Sequence, residues 1–99
     1  MSACVILRIK VDPQRMQRVF ADRADDFRAV SEQAKAAGAL RHHFAAGEGE
    51  VVVVDEWDKG SSFEGFFDNP TIASLMAEAG VEGPPEVTVY EIMDSPDRF

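Results

Sequence analysis

The sequence predicts a single α+β domain, in which a four-stranded antiparallel sheet carries two helices on one face. The order of its patterns is strand, helix, strand, strand, helix, strand, which is the ferredoxin-like plan. The chain has 99 residues, of which 45% are hydrophobic, and it contains no linker-like segment. We therefore expect residues 1–99 to form one domain.

The first strand and the first helix take up the N-terminal part of the chain. Residues 4–11 alternate between two faces, as in a strand with one face buried. Asp12 and Pro13 then mark a helix start, because Asp caps free N–H groups and Pro suits the first helical position. Apolar residues recur every three or four positions from there to Gly38, so we expect one continuous helix that ends at this glycine.

Residues 39–46 and 50–58 predict a hairpin around a glycine-rich turn. If Gly47 and Glu48 form a two-residue turn, His42 lies opposite Val53. One face of the hairpin then carries Leu40, His42, Phe44, Val51, Val53, Asp55 and Trp57. A register slip of one residue would move one strand's set to the other face.

The second helix begins near Ser61, which has the spacing of a capping box with Glu64. Asn69 and Pro70 interrupt this helix, because proline cannot continue the backbone hydrogen bonds. Residues 86–94 alternate again and predict the last strand.

The sheet face away from the helices is not clearly polar. It carries Ile6, Val52, Val54, Tyr90 and Ile92, together with Arg8 and His43. An exposed apolar patch of this kind usually marks an interface, and its simplest cover is the same face of a second copy. We therefore expect a homodimer.

Composition excludes several classes of function. The chain has 18 acidic and 10 basic residues, a net charge of −8, which argues against nucleic acid and anionic membranes as partners. No apolar run approaches the ~20 residues that span a bilayer, and the N-terminus lacks a signal-peptide pattern. The only cysteine, Cys4, cannot form an internal disulfide. We expect a cytoplasmic protein.

Several segments together resemble the antibiotic-biosynthesis-monooxygenase-like family. They are Val-Asp-Glu-Trp-Asp (54–58), Ser-Ser-Phe-Glu-Gly-Phe-Phe (61–67), Asn69-Pro70, Leu75-Met76 and Pro-Pro-Glu-Val-Thr-Val-Tyr-Glu-Ile (84–92). The resemblance implies a dimeric α/β barrel with a pocket in each subunit between sheet and helices. It also implies a possible activity, since some members oxidise phenolic or anthrone-type aromatics with O₂ and no cofactor.

Other members of that family degrade haem, with an Asn on the first strand and a Trp and a His on the second helix. Phe66 and Met76 stand at the Trp and His positions of this chain, and its only asparagine is Asn69 in the helix break. We therefore predict no haem chemistry and no cofactor.

Oxygenation without a cofactor needs a base that ionises the substrate and a dry aromatic pocket. His42 is the candidate base, because histidine is the side chain whose ordinary pKa lies near neutrality. Asp55 shares its face and is the candidate group that orients it. The predicted pocket residues are Trp57, Phe20, Phe27, Phe63, Phe66, Phe67 and Met76.

We expect no metal site. His42 and His43 are adjacent on a strand and point to opposite faces, and no HxxxH or CxxC spacing occurs.

Two functions stay open at this point. One is a cofactor-independent monooxygenase that acts on a small electron-rich aromatic metabolite. The alternative is a non-catalytic dimeric small-molecule-binding or accessory domain, because phenylalanines at helical spacing are also ordinary core residues. An open pocket of roughly 300 Å³ or more beside His42 would favour the enzyme or a binder.

Overall fold

The computed structural model describes residues 1–99, and it confirms the predicted fold class. Four antiparallel strands lie in the order β2-β3-β1-β4, which is the ferredoxin-like arrangement, and helices cover one face. The elements are β1 (Ala3–Lys10), α1 (Pro13–Asp22), α2 (Ala24–Ala37), β2 (Ala39–Gly47), β3 (Glu50–Trp57), α3 (Gly60–Phe67), α4 (Pro70–Ala79) and β4 (Glu86–Glu91). No helix is both long and apolar enough to cross a bilayer.

The hydrophobic core lies between the sheet and the helices. Alternate residues of β1 and β3 point into it, because successive side chains of a strand face opposite sides. The fully buried apolar cluster consists of Val5, Leu7, Ile9, Val11, Met16, Val19, Val51, Val53, Trp57, Phe63, Leu75 and Ala79.

The prediction of one continuous N-terminal helix was wrong, because the helix breaks at Arg23. Its backbone there has φ −122° and ψ 32°, outside the helical region. The Arg23 guanidinium bonds to Asp26 of α2 and to Glu78 of α4, which supports the break from two sides. As a result α1 buries Met16 and Val19 in the core, whereas α2 has no fully buried residue.

The hairpin is present, but its turn lies one residue later than predicted. Gly47 pairs with Glu50, so the turn residues are Glu48 and Gly49, and Gly49 has φ 70°. Moving a two-residue turn by one position shifts the strand pairing by two residues. The side chains from Arg41 to Ala46 therefore keep their predicted faces, while His42 lies opposite Asp55 instead of Val53. An irregularity between Ala39 and Arg41 interrupts this register, so Ala39 and not Leu40 pairs with Trp57.

The second helical region is interrupted where proline predicts it. Asn69 caps α4, and its side chain accepts a hydrogen bond from the Thr71 amide at 2.9 Å. The capping box was wrong, because α3 already begins at Gly60 and Lys59 precedes it without a side-chain cap.

The last strand is shorter than predicted and ends at Glu91. Beyond it, the Ile92 amide donates a hydrogen bond to the Ser2 carbonyl at 3.0 Å. On the outer sheet face, defined here as the face away from the helices, Ile6 lies opposite Val54 and Thr88. Arg8 on the same face forms a bidentate ion pair with Glu50, with distances of 3.2 and 3.1 Å.

Candidate active site

A cavity of about 250 Å³ lies between the sheet and helices α2, α3 and α4. Of its 20 lining residues, 15 are hydrophobic. The other five are Ser31, Lys35, Arg41, His42 and Asp55. The volume lies just below the ~300 Å³ at the lower end of small-molecule pockets, so the site suits a compact ligand.

Most of the predicted pocket residues line this cavity. They are Trp57, Phe27, Phe63, Phe66, Phe67 and Met76. Phe20 is placed differently and lies behind the wall, where its ring packs edge-on against Phe27 and Phe44 at centroid distances of 5.0 and 4.8 Å. The break at Arg23 explains this, because Phe20 stays on the core helix α1 while Phe27 moves with α2.

Strand pairing brings the two predicted catalytic residues into contact. His42 of β2 and Asp55 of β3 are direct partners across the antiparallel pair, so their side chains lie on the same face. His42 Nδ1 is 2.6 Å from Asp55 Oδ1, which is a short hydrogen bond.

Asp55 is the only buried charged or polar residue of the chain. A buried carboxylate is costly unless it is well hydrogen-bonded. Its second oxygen, Oδ2, accepts a hydrogen bond from Trp57 Nε1 at 3.2 Å, because Trp57 lies two residues further along the same strand face. Both carboxylate oxygens are therefore satisfied by groups of the cavity wall.

These contacts assign the tautomer of His42. An ionised carboxylate only accepts hydrogen bonds, so Nδ1 carries the proton in the neutral ring and Nε2 remains the acceptor. The His42 side chain is 44% exposed, whereas that of Asp55 is 9% exposed. The imidazole therefore lies at the border between the apolar interior and solvent, where Nε2 can act as a base.

Aromatic rings form the apolar end of the cavity. The Trp57 indole contacts Phe63 and Phe66 at centroid distances of 5.8 and 5.4 Å, and Phe63 contacts Phe67 at 5.2 Å. The His42 imidazole also packs edge-on against the ring of Phe44, with a centroid distance of 5.1 Å. This arrangement can hold a flat apolar molecule beside an imidazole.

Several lining residues were not among the predicted site residues. Those on helices are Val30, Ser31, Ala34, Lys35, Ile72 and Leu75. For the residues of α2 the sequence signal is helical spacing, since Ser31 and Lys35 follow Phe27 at intervals of four residues. The structure brings together no group of three or more His, Cys, Asp or Glu side chains that could hold a metal ion.

No protein-family model and no curated protein sequence matches the chain. Solved structures do match. A monooxygenase from the gene ActVA-Orf6 of Streptomyces coelicolor, solved in complex with nanaomycin D, is 18% identical, with a TM-score of 0.69 over 95% of this chain and 89% of that chain.

Two further structures match over nearly their full length. SnoaB, a cofactor-independent oxygenase from Streptomyces nogalater, is 16% identical, with a TM-score of 0.66 over 98% of both chains. An antibiotic biosynthesis monooxygenase is 13% identical, with a TM-score of 0.64 over 93% of this chain and 99% of that chain. The chain therefore has the fold of the antibiotic-biosynthesis-monooxygenase-like proteins, as its hairpin and helix motifs predict.

Proposed function

We propose that the protein is a cofactor-independent monooxygenase that oxidises a small electron-rich aromatic metabolite. The observation that carries this proposal is the hydrogen-bonded pair of His42 and Asp55 at the wall of an aromatic cavity. The only buried carboxylate of the chain is used to hold an imidazole in one tautomer, which leaves Nε2 as a proton acceptor.

The first chemical step is removal of a proton from the substrate. His42 Nε2 takes the proton of a phenol, or of a methylene activated by an adjacent carbonyl, which produces a delocalised anion. Asp55 stabilises the imidazolium that forms, because its carboxylate lies 2.6 Å from Nδ1. The apolar wall excludes water from the anion and keeps it reactive.

The anion then reduces O₂ directly. One electron passes from the anion to O₂, and the resulting radicals combine to form a carbon–oxygen bond. Protonation by the His42 imidazolium gives a hydroperoxide. Loss of water breaks the O–O bond and leaves a carbonyl, so one oxygen atom enters the product and the other leaves as water. The substrate supplies all four electrons, as in the conversion of CH₂ to C=O.

The structural comparison supports this type of reaction. SnoaB is a cofactor-independent oxygenase, and it shares the fold over almost the whole of both chains. A related monooxygenase structure contains a small-molecule ligand, nanaomycin D. In this chain the same fold contains a cavity of about 250 Å³, which can hold a small molecule.

Oxygen uptake with matched histidine variants tests the proposal. Purified protein is mixed with a panel of anthrones, hydroquinones and naphthols, and O₂ consumption is recorded. We expect His42→Asn to lower kcat by about 10²–10⁴-fold, the usual contribution of a general base. His43→Asn is the control, because His43 pairs with Val54 on the outer sheet face. Equal rates for the two variants would contradict the role of His42.

A second function uses the same cavity without chemistry. Its lining is mainly apolar, with 15 hydrophobic residues out of 20, which also suits a binding or accessory domain for an apolar metabolite. Binding of aromatic ligands with no protein-dependent O₂ uptake across the panel would favour this alternative.

We also propose that the protein acts in the cytoplasm as a homodimer. The outer sheet face supports the dimer, since Ile6, Val52 and Val54 lie side by side there and are only partly buried. A second copy placed on this face would cover them.

A further inference from the structure

The polar residues of the cavity separate into two groups. His42 and Asp55 bind each other, and Arg41 approaches Glu56 with a distance of 3.8 Å between Nε and Oε2. Glu56 belongs to the outer sheet face, so the Arg41 guanidinium is directed away from the cavity. Ser31 and Lys35 are left, and both belong to α2.

Ser31 and Lys35 lie one turn apart on the cavity side of α2. Residues four apart on a helix are neighbours on its surface, so Phe27, Ser31 and Lys35 form one row. Phe27 begins this row within the aromatic wall, and Lys35 ends it with a side chain that is 66% exposed. The row therefore leads from the apolar interior to the solvent.

The Lys35 ammonium is available to a ligand. Its partner is Glu32, at 3.1 Å between Nζ and Oε1, and the Glu32 side chain is 73% exposed. An exposed pair of this kind contributes little stability, so a ligand carboxylate can replace it. The lysine stem can remain along the apolar lining while its charged end turns toward the mouth.

The negative net charge of the chain makes the position of Lys35 important for the binding of an anionic ligand. At a net charge of −8 the protein repels an anionic metabolite at long range. A cation at the mouth offsets that repulsion locally, and Lys35 is the one cation of the lining that is not directed to the outer sheet face.

We propose that the ligand of this cavity is a compact aromatic carboxylic acid. Its ring lies against Trp57 and the phenylalanines, and its carboxylate accepts hydrogen bonds from the Lys35 ammonium and the Ser31 hydroxyl. The inference deepens the proposed function by naming a substrate class for the same cavity, with Lys35 as its specificity-determining residue. It concerns binding and does not depend on turnover.

Calorimetric titration of the full chain with two probes of equal shape tests this inference. The probes are 2-naphthoate, which is an anion, and 2-naphthamide, which is neutral. We expect the naphthoate to bind about three- to fivefold more tightly, as for one partly exposed ion pair. The preference should shrink at high salt, because ions screen exposed charges.

Variants assign the preference to the two residues. Lys35→Met keeps the apolar stem and should remove the preference, and Lys35→Arg should retain it. Ser31→Ala should reduce it without loss of helix stability, since alanine is the better helix former. Lys10→Met is the control for net charge, because Lys10 is exposed and lies opposite Glu50 in the strand pairing, on the outer sheet face.

Three results would overturn the inference: equal affinity of the wild-type protein for the two probes, an unchanged preference in Lys35→Met, or binding of neither probe. His42→Asn separates this test from that of the proposed function. This variant should keep the preference for naphthoate while losing oxygenase activity, so either proposal can fail while the other stands.

Discussion

Asp55 accounts for the arrangement of the site at the scale of single residues. In an apolar core a carboxylate must be hydrogen-bonded on both oxygens, and the two groups within its reach are the His42 ring and the Trp57 indole. The hydrogen bonds of Asp55 therefore hold both the candidate base, His42, and an aromatic residue of the cavity wall, Trp57, in place. The requirement is local, since Asp55 lies directly across from His42 and two positions before Trp57.

Removal of the indole donor should destabilise the fold more than loss of ring volume alone. We expect Trp57→Phe to lower the free energy of unfolding by about 2–3 kcal/mol, because one oxygen of a buried carboxylate loses its partner. Urea unfolding followed by circular dichroism measures this. Phe63→Leu, at a similarly buried position without a hydrogen bond, should cost less than about 1.5 kcal/mol. A larger loss in Phe63→Leu would contradict the role of the hydrogen bond.

The ion pair on the outer sheet face should make stability depend on pH. The hydrogen bond and charge of Arg8 lower the pKa of Glu50 below its ordinary value, and those of Glu50 raise the pKa of Arg8. Since the pKa of Glu50 is lower in the folded state, the stabilisation is present above the unfolded-state pKa. It is lost as the pH falls through the folded-state pKa.

Glu50→Gln should therefore have a lower urea midpoint than wild type at pH 7, by a small amount because the pair is exposed. The difference should shrink as the pH falls through the folded-state pKa of Glu50 and vanish below it, where the carboxylate is protonated in both states. Glu48→Gln in the adjacent turn is the control and should follow wild type throughout. A difference that stays constant with pH would exclude the ion pair as its cause.

At the scale of secondary-structure elements, the interrupted helices create the cavity. The break at Arg23 separates α1, which carries buried Met16 and Val19, from α2, which carries no fully buried residue. The break at Asn69 and Pro70 likewise separates α3 from α4. Each half can then direct its own apolar side inward, and the space left under α2 becomes the cavity.

The junction of α2 and β2 depends on a glycine. Gly38 has φ 121°, and a Cβ atom there would meet the Asp58 carboxylate. The Gly38 carbonyl accepts a hydrogen bond from the Asp58 amide at 2.9 Å, which ties the start of β2 to the end of β3. Gly38→Ala should therefore cost more than about 1 kcal/mol from the backbone alone.

A double-mutant cycle with Asp58→Ala separates the two causes. We expect Gly38→Ala to destabilise in both backgrounds, and by more where the Asp58 carboxylate is present. Urea midpoints of the four proteins give the coupling. No loss of stability in Gly38→Ala would show that the positive φ is not required at this junction.

The molecule as a whole offers the outer sheet face for self-association. We expect the wild-type protein to sediment as a dimer at micromolar concentration, and Val54→Asp to sediment as a monomer, because it places a charge in the apolar patch. Ala21→Asp, on an exposed position of α1, is the control and should stay dimeric. A wild-type monomer would contradict the dimer.

The sequence predicts the faces of the sheet better than its register. The turn lies one residue beyond its predicted place, yet His42, Asp55 and Trp57 stay on one face, because pairing shifts by two when a two-residue turn moves by one. The contact between His42 and Asp55 required the actual register. The helix break at Arg23 was missed because an apolar stripe continues across it and the supporting Glu78 is distant in sequence.

The presence of an open cavity could not be predicted from the spacing of apolar residues in the sequence. Phenylalanines at helical spacing predict an apolar interior, but they do not tell whether their rings fill it or surround a space. That depends on where the helices lie, and the position of α2 follows from the unpredicted break. Phe20 shows the limit, since its spacing matches that of Phe27 but its ring lies behind the wall.

The central position of β1 has a consequence for biosynthesis. This strand is synthesised before both of its partners, β3 and β4, which span residues 50–57 and 86–91. Contacts so distant in sequence form slowly, and the pairing with β4 cannot form until residues 86–91 have been synthesised. During synthesis, Val5, Leu7 and Ile9 therefore stay on an unpaired strand, which is the segment of the nascent chain that we expect to need protection from aggregation.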